Sequence, residues 1–180
     1  MKSLAVIVEG SSDKHFFTSL KPWFEELGFL PTIIEAQNRS RLIQDADKHV
    51  ATAIAGGKEV ILLVIDQDED GCAPNTASKL SQSRNTGALI AVAAKCLEAW
   101  LLADEIAVRA ASARQYTNRR NTDQISRPAD ALRDLFFQGH KQYFTKMEIV
   151  RRVSPRFDIE RAASRNSSLG RMVDRLRSLA

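Results

Sequence analysis

Two short runs of apolar residues most constrain what this chain can fold into. Residues 4–8 read LAVIV and residues 60–65 read VILLVI, without alternation of polar and apolar side chains. Strands of this kind are buried on both faces, as in a parallel sheet that is covered by helices. The segments between them give the order β-α-β-α-β, which implies right-handed crossovers. The sequence therefore predicts an α/β fold with a mainly parallel, Rossmann-like sheet flanked by helices.

The segments around these two strands divide into helices, further strands and a long polar loop. Apolar residues at helical spacing predict helices over 11–27, 39–55 and 96–113. Two more apolar runs predict strands at 30–34 and 87–93. Residues 67–86 are rich in Ser, Asn, Gly and Thr, which predicts a loop with a helical turn at 76–80.

Three parts of the chain are distinguished by composition. Residues 1–113 are predicted to form the α/β domain, and residues 114–127, which are polar, a linker or arm. Residues 128–180 have few strand signals and predict a basic helical C-terminal subdomain packed on or beside the first domain. Its helices are expected at 128–137, 145–153 and 169–179.

The charge of the chain is divided unevenly along its length. Residues 1–108 contain 10 Lys and Arg against 15 Asp and Glu, whereas residues 109–180 contain 16 against 7. An acidic part joined to an arginine-rich part fits a cation site beside a surface for a polyanion such as nucleic acid. Ordinary solvated helix surfaces explain the arginines equally well. Because arginine forks match phosphate groups, the expected nucleic-acid contacts include Arg119, Arg120, Arg151 and Arg152.

Several classes of protein do not fit this composition. No run approaches the roughly 18 apolar residues of a membrane helix, and no signal peptide is evident. Cys72 and Cys96 are too few for a disulfide framework and lack the spacing of zinc ligands. A Walker A loop and a Gly-x-Ser-x-Gly elbow are both missing from the sequence. We therefore expect a cytoplasmic protein that does not contact a membrane.

Carboxylates follow both buried strands directly. Glu9 follows the first strand, and Asp66, Asp68 and Asp70 follow the second. The carboxyl ends of parallel strands meet at one edge of the sheet, where ligands of open α/β folds bind. In an extended segment, residues two apart point the same way, so the aspartates would converge before Gly71 lets the chain turn away. Carboxylates this close repel one another unless a cation lies among them, and Mg²⁺ or Mn²⁺ suits such an oxygen-only site.

Other residues extend this candidate site. Gly10, Ser11 and Ser12 form a turn before the first predicted helix, where N-terminal amides favour phosphate oxygens. Glu98 begins the helix after the last strand and is a further candidate metal ligand, although a glutamate in a first turn also suits the helix dipole. Asp13 has the same two explanations. An acidic surface turn would account for the aspartates without any metal.

These motifs resemble the TOPRIM domain of topoisomerases, bacterial primases and overcoming-lysogenisation-defect (OLD) nucleases. The resemblance rests on residues 8–10 (VEG) with Asp13 after them, and on residues 66–71 (DQDEDG) at the end of a buried strand. The second motif is most similar to its type II topoisomerase version.

Most of the chain looks like a small stand-alone TOPRIM-like family of unknown function. The family's Glu-Ala-Trp helix corresponds to residues 97–104 (LEAWLLAD), which are the most specific part of the similarity. Its C-terminal Tyr-x-Lys element corresponds to residues 143–146 (YFTK), and its late serine pair to residues 167–168. The similarity adds Lys146 to the expected nucleic-acid contacts.

The resemblance implies a TOPRIM-like sheet with the acids around one or two magnesium ions. In characterised relatives, the counterpart of Glu9 acts as a general acid/base or metal ligand and the aspartates bind metal. This implies catalytic roles for Glu9, Asp66 and Asp68. Members of the family often lie beside ATPase genes in defence loci, which implies an ATPase partner. Because no tyrosine lies near a basic helix-turn-helix-like segment, the covalent strand passage of topoisomerases is not expected.

The expected function is therefore that of a magnesium-dependent nuclease or phosphodiesterase acting on nucleic acid, in a defence or DNA-processing system. The alternative is a catalytically silent TOPRIM-like binding or regulatory subunit of an ATPase partner. A phosphatase of the haloacid dehalogenase class is disfavoured. That class needs a small or hydroxyl residue soon after its aspartate pair, whereas Glu69 and Asp70 follow here.

Overall fold

The computed structural model of the chain describes residues 1–80, 87–118 and 121–180. Its strands are β1 (Lys2–Val8), β2 (Phe29–Glu35), β3 (Val60–Asp66) and β4 (Leu89–Ala93). They form one sheet in the order β2-β1-β3-β4, and every pair of neighbours is parallel. The predicted α/β class with a parallel sheet flanked by helices is confirmed.

Helices lie on both faces of this sheet. In chain order they are α1 (Ser11–Ser19), α2 (Lys21–Glu26), α3 (Arg39–Gln44), α4 (Ala46–Ala55), α5 (Ala73–Leu80), α6 (Leu97–Ala103), α7 (Glu105–Ser112), α8 (Pro128–His140), α9 (Lys146–Val153), α10 (Ile159–Ala163) and α11 (Ser167–Arg177). Short 3-10 turns occupy Thr122–Gln124 and Ser154–Arg156. Within the described ranges, none of the helices combines the length and apolar character that crossing a membrane requires.

Each long helix predicted from periodicity is in fact two helices. The chain breaks at Leu20 before a helix with Pro22 in its first turn, at Asp45 between α3 and α4, and at Asp104 between α6 and α7. Asp104 stops the preceding helix because its carboxylate accepts the amides of Ile106 and Ala107, both at 3.1 Å. Apolar periodicity continues across such breaks, so the sequence pattern predicted one helix where the structure has two. The short helix α10 was not predicted.

The larger of two apolar cores lies between the sheet and the C-terminal helices. Leu4 of β1, Trp100 of α6, Phe136 of α8 and Leu176 of α11 are all fully buried in it. Of the C-terminal helices, α11 packs against β4, whereas α8, α9 and α10 join the same core mainly through α1, α6, α7 and α11. A smaller core on the opposite face joins the sheet to α3, α4 and α5.

Helix α6 joins the sheet to the C-terminal helices. Asp104 is fully buried at its end and accepts two hydrogen bonds from Arg161, from Nε at 2.8 Å and from Nη2 at 2.7 Å. The Asp158 amide donates to the same carboxylate at 2.8 Å. On the same helix, Trp100 Nε1 donates to Ser168 Oγ at 2.7 Å. The Leu97–Asp104 motif thus has a structural role, because its tryptophan and aspartate anchor α10 and α11.

We expect Asp104→Asn to lower the free energy of unfolding by about 3 kcal/mol, since it leaves Arg161 without its buried partner charge. Asparagine keeps an oxygen for the amides of α7 but puts an NH2 group where the other oxygen accepts the Asp158 amide, so the loss reports on the ion pair together with that hydrogen bond. Urea unfolding followed by circular dichroism measures it. Asp174→Asn on the exposed face of α11 is the control and should change stability little. Equal stability of the two variants would contradict the anchoring role.

Candidate active site

The sheet order places the ends of β1 and β3 side by side. The Asp66 amide donates to Glu9 Oε1 at 2.6 Å, which ties the two strand ends together. The Asp66 carboxylate accepts the Leu97 amide at 2.8 Å and so holds the start of α6 at the same edge. Both acidic side chains are largely covered, with exposures of 15% for Glu9 and 11% for Asp66. The two principal acids of the sequence analysis are therefore in direct contact.

The chain turns immediately after Asp66 instead of continuing as the extended segment that we predicted. Asp68 has a φ of 49°, in the left-handed region, and the Asp70 amide donates to the Gln67 carbonyl at 3.1 Å. Residues two apart therefore do not point the same way here. As a result, the three aspartates do not face one common point: Asp66 lies near Lys146, whereas Asp68 and Asp70 lie near Arg39.

The first cation is Lys146, at the start of α9. Its Nζ lies 3.3 Å from Asp13 Oδ1, 3.5 Å from Glu98 Oε2 and 3.7 Å from Asp66 Oδ2. We call these four residues the lysine cluster. Thr145 fixes the start of α9 through a capping box with Glu148, which places Lys146 in the first turn. A cation is unfavourable at a helix N-terminus, so the carboxylates must account for its position.

The second cation is Arg39, the first residue of α3. It forms an ion pair with Asp70, and its Nε lies 3.4 Å from Asp68 Oδ2. Its Nη1 donates to the Asp66 carbonyl at 2.7 Å and lies 4.0 Å from Glu9 Oε1. We call Arg39, Asp68 and Asp70 the arginine cluster. Glu9 lies between the two clusters.

Burial and crowding shift the pKa values in the lysine cluster. Burial raises the pKa of Asp66 well above its usual range, and Asp13, Glu9 and Glu98 add repulsion. Burial also raises the pKa of Glu9 to about 7. For Lys146, burial alone would lower the pKa, but the surrounding carboxylates together raise it above its ordinary value. Negative charge at this edge is thus only partly compensated.

The arginine cluster is better balanced. Lys79 also forms an ion pair with Asp70, and its hydrogen bond is the main cause that lowers the pKa of that carboxyl. Among the residues that the structure describes, the six carboxylates of the two clusters and Glu9 face three cations, Arg39, Lys79 and Lys146. This excess of negative charge is concentrated around the buried acids next to Lys146.

Glu98 gives an independent sign that the lysine cluster is incomplete. The residue is 8% exposed, and its Oε2 is buried without a hydrogen-bond partner among the described residues, with the Lys146 ammonium 3.5 Å away. Buried carboxylate oxygens are normally satisfied, so this atom has capacity for a further positive ligand. The candidate metal-binding atoms are all carboxylate oxygens, which suits Mg²⁺ or Mn²⁺. In the ranges 1–80, 87–118 and 121–180, however, no three acidic, Cys or His residues are already arranged around a common metal position.

The predicted phosphate-binding turn lies beside Glu9. Gly10 is the extended N-cap residue of α1, and its carbonyl accepts the Lys14 amide at 2.9 Å. Ser11 is exposed, and the Ser12 hydroxyl is 3.3 Å from Asp13 Oδ1. Amides of the first turn of α1 are therefore available at the carboxyl edge of β1.

The predicted nucleic-acid contacts have different locations. Arg151 and Arg152 are exposed on α9, and the Arg152 guanidinium lies 4.6 Å from the centroid of the Phe144 ring. Lys146 precedes them by about one and a half turns but faces the acids. Arg119 and Arg120 lie outside the described residues.

Sequence reasoning missed Arg39 and Lys79 and assigned a different contact to Lys146. One signal for Arg39 existed. It is the first residue of a predicted helix that follows a strand of the same sheet, where a cation opposes the helix dipole unless acids lie nearby. Lys79 had no such signal, since cations near a helix C-terminus are common.

No protein-family model, curated protein or solved structure matches this chain. What the chain does must therefore be inferred from the chemistry of its own residues.

Lys146→Met should lower the free energy of unfolding without added metal by about 2 kcal/mol, because buried carboxylates lose their counter-charge. Millimolar Mg²⁺ should raise the midpoint of thermal unfolding more in this variant than in the native protein, since the ion supplies the missing charge. Differential scanning fluorimetry with and without Mg²⁺ measures both effects.

Lys79→Met is the matched control, because it removes an ammonium group that is 42% exposed. Its effect on the free energy of unfolding should stay below about 1 kcal/mol. If Mg²⁺ shifts neither the native protein nor the Lys146 variant, the carboxylates do not bind a divalent ion.

Proposed function

We propose that this protein is a divalent-cation-dependent phosphodiester hydrolase of the TOPRIM-like type that acts on nucleic acid. The observation that carries the proposal is the group of buried carboxylates at the carboxyl edge of β1 and β3. Glu9, Asp66 and Glu98 are largely desolvated there, with Lys146 as the cation nearest to the latter two. Repulsion between carboxylates crowded in this way destabilises the fold, so a structural role does not explain them. Such groups are typical of sites that bind metal ions for phosphoryl transfer.

The proposed metal ligands are carboxylates already held in place. Asp66 is positioned by the Leu97 amide, and Glu98 has a buried Oε2 that makes no hydrogen bond. Glu9, Asp68 and Asp70 complete the set, and Arg39 would release Asp68 and Asp70 when the metal binds. When bound, Mg²⁺ or Mn²⁺ would neutralise charge on the phosphate and favour ionisation of the attacking water.

Glu9 is proposed to act as the general base. Its pKa of about 7 matches the operating pH that suits a general base, with about half of the carboxylate ionised at neutral pH. Its Oε1 already accepts the Asp66 amide, so Oε2 is the atom that would take the proton from water.

Positive groups around the acids would hold the substrate. Amides in the first turn of α1 beside Gly10 and Ser11 suit a non-bridging phosphate oxygen. Lys146, whose raised pKa keeps it protonated, would stabilise negative charge that develops on the leaving oxygen. Arg151 and Arg152, exposed further along α9, would contact flanking phosphates.

A second candidate function is supported by the ion pairs themselves. Arg39 contacts Asp68 and Asp70, and Lys146 contacts Asp66 and Glu98. Arg39 Nη1 also lies 4.0 Å from Glu9 Oε1. Each predicted metal ligand therefore already has a cationic side chain of the protein near it, most distantly at Glu9. In this alternative the chain is a catalytically silent TOPRIM-like subunit that binds or regulates an ATPase partner. Absence of metal-dependent cleavage by the purified chain, together with co-purification of an ATPase, would favour it.

We expect the native protein to cleave single-stranded DNA or RNA in the presence of Mg²⁺ or Mn²⁺, and Asp66→Asn and Glu9→Gln to lower the rate at least about 100-fold. Both substitutions keep the oxygen that accepts a backbone amide, so the fold should persist. Gel assays with end-labelled oligonucleotides measure the rate, and circular dichroism checks folding.

Asp174→Asn serves as the control, because it makes the same chemical change on the exposed face of α11. It should cleave at the native rate. Cleavage that survives in folded Asp66→Asn, or that persists in EDTA, would reject a metal centre at this edge.

Substituting both Arg151 and Arg152 by Ala should weaken binding of a single-stranded oligonucleotide and flatten its salt dependence. Each lost phosphate contact lowers the slope of log K against log salt by about 0.7 for single strands. Fluorescence anisotropy in EDTA separates binding from cleavage. The matched control replaces Arg171 and Arg175 on α11 by Ala. An equal loss in both double variants would place the nucleic acid elsewhere.

A further inference from the structure

β4 is an edge strand of the described sheet, with a groove along its open side. A cavity of about 290 Å³ is lined by residues 89–92 of β4, by Ala73, Pro74 and Ala77 of α5, and by Met172 of α11 with its neighbours. Helices α5 and α11 belong to opposite faces of the sheet, so they wall the groove on either side of the strand edge. This is the shape that receives an extended peptide as an added strand.

Backbone groups of β4 are available along this edge. The Gln67 amide donates to the Ala93 carbonyl at 2.9 Å, so Ala91 and Ala93 face β3 and the alternating residues Ile90 and Val92 face outward. Arg175 donates to the Ile90 carbonyl at 3.1 Å. In the part of the chain that the structure describes, the Ile90 N–H and both backbone groups of Val92 have no partner. A strand edge in this state is a template for pairing.

The side chains that line the groove indicate what kind of peptide it would bind. Its floor and one wall are apolar, whereas Arg171 and Arg175 are exposed on the other wall, and none of the described residues that line the groove is acidic. We propose that the β4 edge binds an extended segment of a partner protein in which acidic and apolar residues alternate, as a fifth strand of the sheet. Apolar side chains would enter the groove, and acidic ones would pair with the two arginines.

A second copy of this chain fits the edge poorly. Two-fold pairing of β4 with β4 would bring the same arginines of both copies together, and like charges oppose such an interface. Arg175 does not block an acidic strand, because its exposed guanidinium can leave the Ile90 carbonyl to a peptide N–H and pair with a carboxylate instead.

The test uses two short capped peptides that alternate Val with Glu or Val with Lys. Titration into the ¹⁵N-labelled full chain should shift the amide resonances of Ile90 and Val92 with the Glu peptide.

Replacing both Arg171 and Arg175 by Glu should weaken that binding at least about tenfold and strengthen binding of the Lys peptide. Arg151→Glu on α9 is the control and should leave both affinities unchanged. Val92→Pro should also weaken binding, because it removes an N–H that faces away from β3. The fold should tolerate this change, since proline is found on edge strands.

Equal binding of the two peptides, or shifts confined to residues outside β4, would overturn the proposal. So would a concentration-dependent dimer in sedimentation equilibrium that Val92→Pro converts to monomer, because the edge would then belong to a second copy. The nuclease assay does not enter either readout, so the outcome is independent of the catalytic proposal.

Discussion

Asp66 is the residue on which the carboxyl edge of the sheet depends. Its amide donates to Glu9, its carboxylate accepts the Leu97 amide, and its carbonyl accepts Arg39. The ends of β1 and β3 and the starts of α3 and α6 are thereby joined through one residue. Its burial also concentrates negative charge where these elements meet. The candidate site is therefore built into the backbone of the fold instead of lying on a separate loop.

The two proposed functions differ in what balances that charge. Lys146 and Arg39 supply two of the positive charges, and each begins a helix, a position at which the helix dipole opposes a cation. Either cation can be understood as a permanent substitute for a metal ion or as a partner that shifts when metal and phosphate arrive. Glu98 Oε2 favours the second interpretation, because it is buried without a hydrogen bond and its ion pair with Lys146 is long, at 3.5 Å.

The sequence was sufficient for the sheet and for the meeting of Glu9 with Asp66. Continuous apolar strands predict parallel neighbours, and parallel neighbours end at one edge. It was insufficient for the course of the chain after Asp66, since the left-handed Asp68 depends on hydrogen bonds from residues 67 and 68 to residues 93 and 95. The ion pairs of Arg39 and Lys146 also join distant segments, and a one-dimensional pattern does not record which surface cations lie near which acids.

The order in which the site's residues occur in the chain has a consequence for biosynthesis. The acids come from residues 9–98, whereas the cation of the lysine cluster is residue 146, and the anchors of α6 are Arg161 and Ser168. On the ribosome, the strands and their carboxylates emerge well before these partners. Arg39 and Lys79 emerge together with Asp68 and Asp70, whereas the acids of the lysine cluster lack their counter-charge until α9 leaves the exit tunnel. The acidic edge is in this way closed only after residues 146–168 have been synthesised.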